Sequence, residues 1–90
     1  MMQISHQPDG SRFHVTVDGH EAELSYRLAG ERMTIDHTGV PAAIGGRGVA
    51  AELMRAALDY ARAEGLKVVP ACSYAAAYIQ RHPDCADLVA

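Results

Sequence analysis

Val40-Pro41-Ala42-Ala43-Ile44-Gly45-Gly46-Arg47-Gly48-Val49-Ala50 runs directly into Ala51-Glu52-Leu53-Met54-Arg55-Ala56-Ala57, a glycine-rich turn that opens a helix. The first N–H groups of a helix have no partner within it, and the helix dipole adds partial positive charge at the same end. Glycines let such a turn take backbone angles that other residues avoid, and they hold no side chain between the amides and a ligand. A turn of this kind can cradle a phosphate or pyrophosphate, which points to a nucleotide-type cofactor.

Working outward, the segment before the turn alternates. Phe13, Val15 and Val17 alternate with His14, Thr16 and Asp18, and Ala22, Leu24, Tyr26 and Leu28 alternate with Glu21, Glu23, Ser25 and Arg27. Period two marks half-buried strands. Asp18-Gly19 between the two runs is a two-residue hairpin signal, placing Val15 opposite Ala22 and Phe13 opposite Leu24. Ala29-Gly30-Glu31 makes the next turn, and Met33, Ile35 and His37 continue the inward face of a third strand, with His37 opposite Leu24.

After the glycine turn the period changes. From Val49 to Glu64, the polar residues Glu52, Arg55, Asp59 and Arg62 fall three and four apart, leaving Val49, Leu53, Ala57, Tyr60 and Ala61 to pack on the sheet. Gly65 is placed to stop the helix. Leu66 to Ala71 reads as a short buried strand. Ser73 reads as the N-cap of a second helix that ends at His82-Pro83, and Cys85 to Ala90 as an edge segment. The predicted fold is one α/β (α+β) domain over residues 1–90. Its sheet is mostly antiparallel, with two main helices on one or both faces.

Composition narrows the function. Eight Lys+Arg against eleven Asp+Glu give a net charge of −3, which argues against a nucleic-acid partner, whose binding needs a basic face. No apolar run has a membrane span's length, and Met1 to His6 lacks the cationic start of a secretion signal, so a cytoplasmic protein with no membrane partner is expected. Cys72 and Cys85 are then free thiols. No His/Cys spacing suggests a metal.

Gly45-Gly46-Arg47-Gly48-Val49-Ala50 resembles the R/Q-x-x-G-x-G/A acyl-CoA signature of GNAT-type N-acetyltransferases. Gly48 and Ala50 match its last two defined positions, and Gly45 stands where the family usually has Arg or Gln. Pro70-Ala71-Cys72-Ser73-Tyr74, with Tyr78 and His82-Pro83 after it, resembles a subgroup of very small GNAT-like proteins carrying Cys-Ser/Pro-Tyr and Asn/His-Pro elements. The likeness extends from about Gly10 to Val89. It implies a GNAT-like fold in which the strands ending near Val40 and Ala71 splay apart to admit pantetheine.

The same resemblance implies acetyl-CoA as cosubstrate and an N-acetyltransferase activity toward an unidentified amine, which a protein, a peptide or a small molecule can supply. Gly45, Gly46, Arg47, Gly48, Val49 and Ala50 would bind the pyrophosphate, with Val40 beside pantetheine and Tyr74 lining the pocket. Cys72 is a candidate for an acetyl-cysteine intermediate or a base; its other reading is a small buried hydrophobe. Tyr78 stands where the family's general-acid tyrosine lies, although His-Pro replaces the Gly-Phe that follows it, and it also reads as a core aromatic. His37 is a candidate proton acceptor or a structural imidazole. Arg47 pairs either with a phosphate or with solvent. Larger family members place two helices where this chain has Asp18-Gly19, so the acceptor side is open. A monomer or weak homodimer is expected. The competing function is a non-catalytic acyl-CoA-binding module.

Overall fold

The structure, a computed structural model, describes residues 2–90. Five strands form one sheet in sequence order: β1 (Ser5–Gln7), β2 (Arg12–Val17), β3 (His20–Ala29), β4 (Arg32–Gly39) and β5 (Lys67–Pro70). The first four are antiparallel neighbours, and β5 pairs parallel to β4. A parallel pair needs a long crossover, supplied here by helix α1 (Val49–Glu64); α2 (Ser73–Arg81) follows β5. The chain closes with a short 3-10 segment, Pro83–Leu88, and one bridge from Val89 to Val68 on the outer edge of β5.

The β2–β3 hairpin has the register that alternation predicts, with Val15 opposite Ala22 and Phe13 opposite Leu24. Asp18 and Gly19 both take positive φ (50° and 78°), as a tight two-residue turn requires. Inward residues Phe13, Val15, Ala22, Leu24, Tyr26, Met33 and Ile35 meet Val49, Leu53, Met54, Ala57, Leu58 and Ala61 of α1, all buried. Burial of side chains the size of Leu53, Met54 and Leu58 contributes about 1.5–3 kcal/mol each. Both helices join this layer: α1 packs on β2 and β3, and α2 on β4, β5 and α1. The opposite side of the sheet carries ion pairs instead, among them Arg12 with Glu23 and Arg27 with Asp36.

Three expectations are corrected. Ser73 is the first helical residue of α2, and Cys72 is its N-cap: Cys72 is extended, and its sulfur accepts a hydrogen bond from Ala75 N–H. His37 is exposed and opposite Ser25, not inward and opposite Leu24. The β3–β4 register shifts at Ser25/Tyr26, where Ile35 still faces Tyr26, so Asp36 is an extra residue on β4. A bulge inverts the alternation beyond it. It turns Thr38 to face Leu24 and sends His37 to the other side. Asp36 secures the bulge by accepting hydrogen bonds from Ser25 Oγ and Arg27 Nε, each at 3.0 Å.

The third concerns His6, which precedes the first strand that alternation marks, the run beginning at Phe13. It lies in β1 with its ring stacked on Phe13 (centroids 4.1 Å apart) and edge-on to Tyr60, and Nε2 is 2.6 Å from the Tyr26 hydroxyl. Burial lowers the pKa of His6 below the ordinary histidine value of 6.5. As pH falls through that value, the unfolded chain therefore takes up a proton before the folded one does, and stability falls. Urea denaturation at pH 7.5 and 5.5 is expected to show a larger acid loss for the wild type than for His6→Phe. The four other histidines are common to both proteins, so equal losses would exclude His6 as the source.

Candidate functional site

Two features adjoin the end of the sheet where β4 and β5 part, and a third lies between the helices. The ladder between them ends at Ile35 and Pro70. The last N–H of the segment to face β4, that of Ala71, reaches the Ile35 carbonyl at 3.0 Å, and Cys72 N–H returns to the same carbonyl at 3.1 Å as the chain turns into α2. β4 runs on to Gly39, so residues 37–39 pair with β3 alone and leave their other edge open. Val40, half-buried against the core, follows that edge.

Cys72 sits at the base of this notch. Its sulfur accepts from Ala75 N–H at 3.4 Å and lies 3.6 Å from Thr38 Oγ1. The sequence reading missed Thr38, because the inverted alternation beyond the bulge is what aims it here. The two polar residues Asp36-His37, breaking the run Met33-Thr34-Ile35, were the available signal. His37 does not join Cys72.

The glycine turn forms the second feature. Pro41 leads into a 3-10 turn, Ala42–Ile44, anchored by Ile44, whose side chain is wholly buried. Gly45 N–H closes that turn onto the Ala42 carbonyl at 3.1 Å, so Gly45 is not among the free donors the sequence reading expected. From Gly46 to Ala51, by contrast, no backbone N–H has a hydrogen-bond partner among the described residues; the first pairing inside α1 is Glu52 N–H to the Gly48 carbonyl. Gly46 and Gly48 take φ of 78° and 77°, and a Cβ on either would meet nothing within 4 Å, so the turn is open at both glycines. Val49 is buried and pins the helix start to the core. A groove of about 610 Å³ adjoins it, lined by Met2, Arg47, Gly48, Ala51, Glu52 and Arg55. Arg47 turns to Asp18 of the hairpin turn, with which it makes an ion pair.

The third feature is a cleft of about 250 Å³ between α1 and α2, whose lining includes Arg55, Asp59, Tyr78, His82 and Cys85. Tyr78 is buried, with its ring stacked on His82 (3.9 Å, 13°) and 6.2 Å from that of Tyr74. His82 Nδ1 is 2.7 Å from the Tyr78 carbonyl, so His82 serves the end of α2 as well as the tyrosine ring. Burial, followed by the negative charge of Cys85 when ionised, raises the Tyr78 pKa, and Arg55 draws it back. The phenol is therefore protonated at neutral pH. Tyr74 is half-buried and likewise raised, first by burial and then by Tyr78. Arg55, read from the sequence as part of a wet helix stripe, borders both the groove at the glycine turn and the Tyr78 cleft. Tyr78 lines this cleft, and Cys72 does not.

Among the described residues, no cluster of three or more His, Cys, Asp or Glu could hold a metal. Cys72 and Cys85 are both free thiols. What the arrangement offers is an anion cradle of backbone donors, an open strand edge, and a thiol and a protonated phenol nearby.

Comparison with known proteins agrees with this geometry. A family model described as GCN5-related N-acetyl-transferase matches residues 12–88. Protein NATD1 of Gallus gallus is 38% identical over 85 residues, covering 91% of this chain and 77% of the relative. Protein NATD1 of Homo sapiens is 36% identical, covering 91% and 75%. The NMR solution structure of a GCN5-like N-acetyltransferase candidate from Staphylococcus aureus superposes with a TM-score of 0.78 at 29% identity, covering 98% of this chain and 87% of that one.

Proposed function

From the premise that the chain belongs to the GCN5-related N-acetyltransferase family, we propose that it transfers an acetyl group from acetyl-CoA to an amine. The observation that carries this reading is the row of unpaired N–H groups from Gly46 to Ala51 beside the open edge of β4. Backbone donors at a helix start suit a pyrophosphate. The edge from Asp36 to Gly39 offers main-chain donors and acceptors to the amide-bearing pantetheine arm. Acetyl-CoA supplies the activated acyl carbon as a thioester.

The chain's part is to bind and orient, and that supplies most of the acceleration. Cys72, at the base of the notch, serves as nucleophile or as base toward the amine. Tyr78, protonated at neutral pH, serves as the proton donor. Only Asp18 and Gly19 separate β2 from β3, so no lid rises from that hairpin. An open acceptor side fits a protein or peptide amine.

Isothermal titration with acetyl-CoA and free CoA, with ATP as control, tests the reading. Saturable binding of both CoA species but not ATP is expected, followed by acetylation of at least one amine in a broad panel. Binding with no turnover across the panel would instead establish an acyl-CoA-binding module. Failure to bind either CoA species would overturn the reading.

A further inference from the structure

We propose that Asp18 is an affinity-setting residue: it holds Arg47 away from the cradle, and a phosphate ligand must take the guanidinium from it. The inference rests on the reading of the cradle given above. Arg47 is the one charged residue in the turn Gly45–Gly48, and it borders the groove at the start of α1. Its guanidinium is nevertheless committed to the Asp18 carboxylate, from the far side of the sequence. Asp18 sits at the tip of the hairpin, its backbone in the left-handed region of a tight turn. Arg47 thus has two anionic partners open to it, the Asp18 carboxylate it already holds and an anion in the groove that it lines.

Charge decides the competition. The pair is half exposed on the arginine side and more so on the aspartate side, so solvent and salt weaken it. A pyrophosphate carries more charge than one carboxylate and can accept two guanidinium hydrogen bonds at once, where Asp18 accepts one. It therefore displaces Asp18, at an affinity lowered by the displaced pair and by the nearby negative charge. The fold does not require that charge. Asn-Gly forms the same two-residue turn as readily as Asp-Gly, so the carboxylate is surplus to the hairpin and acts on Arg47.

Asp18→Asn tests this without disturbing the turn, and its melting temperature should match or exceed that of the wild type. Titrated with CoA at low ionic strength, Asp18→Asn is expected to bind about two- to fivefold more tightly than the wild type, the size an exposed pair supports. The gain should shrink at high salt, be absent for S-acetyl-pantetheine, which lacks phosphates, and fall by more than half when Arg47→Gln is added. An unchanged Kd in Asp18→Asn, or a gain of full size in the Arg47→Gln background, would overturn the proposal while leaving CoA binding by the wild type intact. A wild type that binds no CoA would overturn the reading of the cradle and this inference with it.

Discussion

Cys72→Ser is expected to fold as stably as the wild type, to bind CoA with nearly the same affinity, and to lose acetyl transfer by roughly 10²–10⁴-fold. Cys72 does two separable things. As N-cap of α2, its sulfur accepts the Ala75 N–H at 3.4 Å; a serine hydroxyl is a stronger acceptor and among the preferred N-cap groups, so the helix start survives the change. As a reacting group, a thiol ionises far more readily than a hydroxyl, and the thiolate is the nucleophilic form. Thr38 Oγ1, 3.6 Å from the sulfur, holds it at the notch in either case. Cys72→Ala would confuse these roles, since loss of an N-cap alone costs about 0.5–2 kcal/mol. The check has two readouts: turnover of an amine the wild type acetylates, and mass spectrometry for an acetyl group on Cys72 after incubation with acetyl-CoA. A full rate in Cys72→Ser would leave the residue a helix cap, with transfer direct from thioester to amine.

What the sequence disclosed follows from how local each determinant is. The limits of α1, Val49–Glu64, were legible because the glycine turn, the spacing of its polar stripe and Gly65 are all encoded within the segment itself. The β2–β3 register was legible because Asp18-Gly19 fixes it and both strands agree on an inward face. The bulge at Asp36 was not. It depends on partners on β3, Ser25 and Arg27, and it becomes visible only when the two strands are paired. That one extra residue removed His37 from the site and put Thr38 into it. β1 escaped for a similar reason. Ser5-His6-Gln7 is short and polar, and what holds His6 is Phe13, Tyr26 and Tyr60, all distant in sequence. The cap of α2 was misplaced by one residue because serine is the commoner cap. Cys72 is made extended by its N–H bond to the Ile35 carbonyl, a contact across the sheet. The parting of β4 and β5, expected from family resemblance, comes where Ala71 and Cys72 both bond the Ile35 carbonyl and the chain turns into α2.

Gly48→Ala and Gly65→Ala should destabilise the protein alike, yet only Gly48→Ala should weaken CoA binding, by about tenfold or more. The two glycines cap opposite ends of α1 and share a conformation, with φ of 77° and 70° and open space around a would-be Cβ. An alanine held there costs about 1–2 kcal/mol of backbone strain, which lowers the melting temperature of a domain this size by about 4–8 °C per kcal/mol. At Gly65 the strain has no ligand to affect, because that end of α1 lies at the far end of the helix from the cradle. At Gly48 the same strain is relieved by rotating the peptides on either side, which carry two of the donors in the row, Gly48 and Val49. Hydrogen bonds to a charged group are worth about 1.5–3 kcal/mol each, so misdirecting even one accounts for the tenfold loss. The Cβ itself would occupy open space. Equal loss of stability with unequal loss of affinity assigns the ligand to the Gly48 end of the helix. If both variants kept wild-type affinity at matched stability, the N–H row would be only a tight connection between β4 and α1.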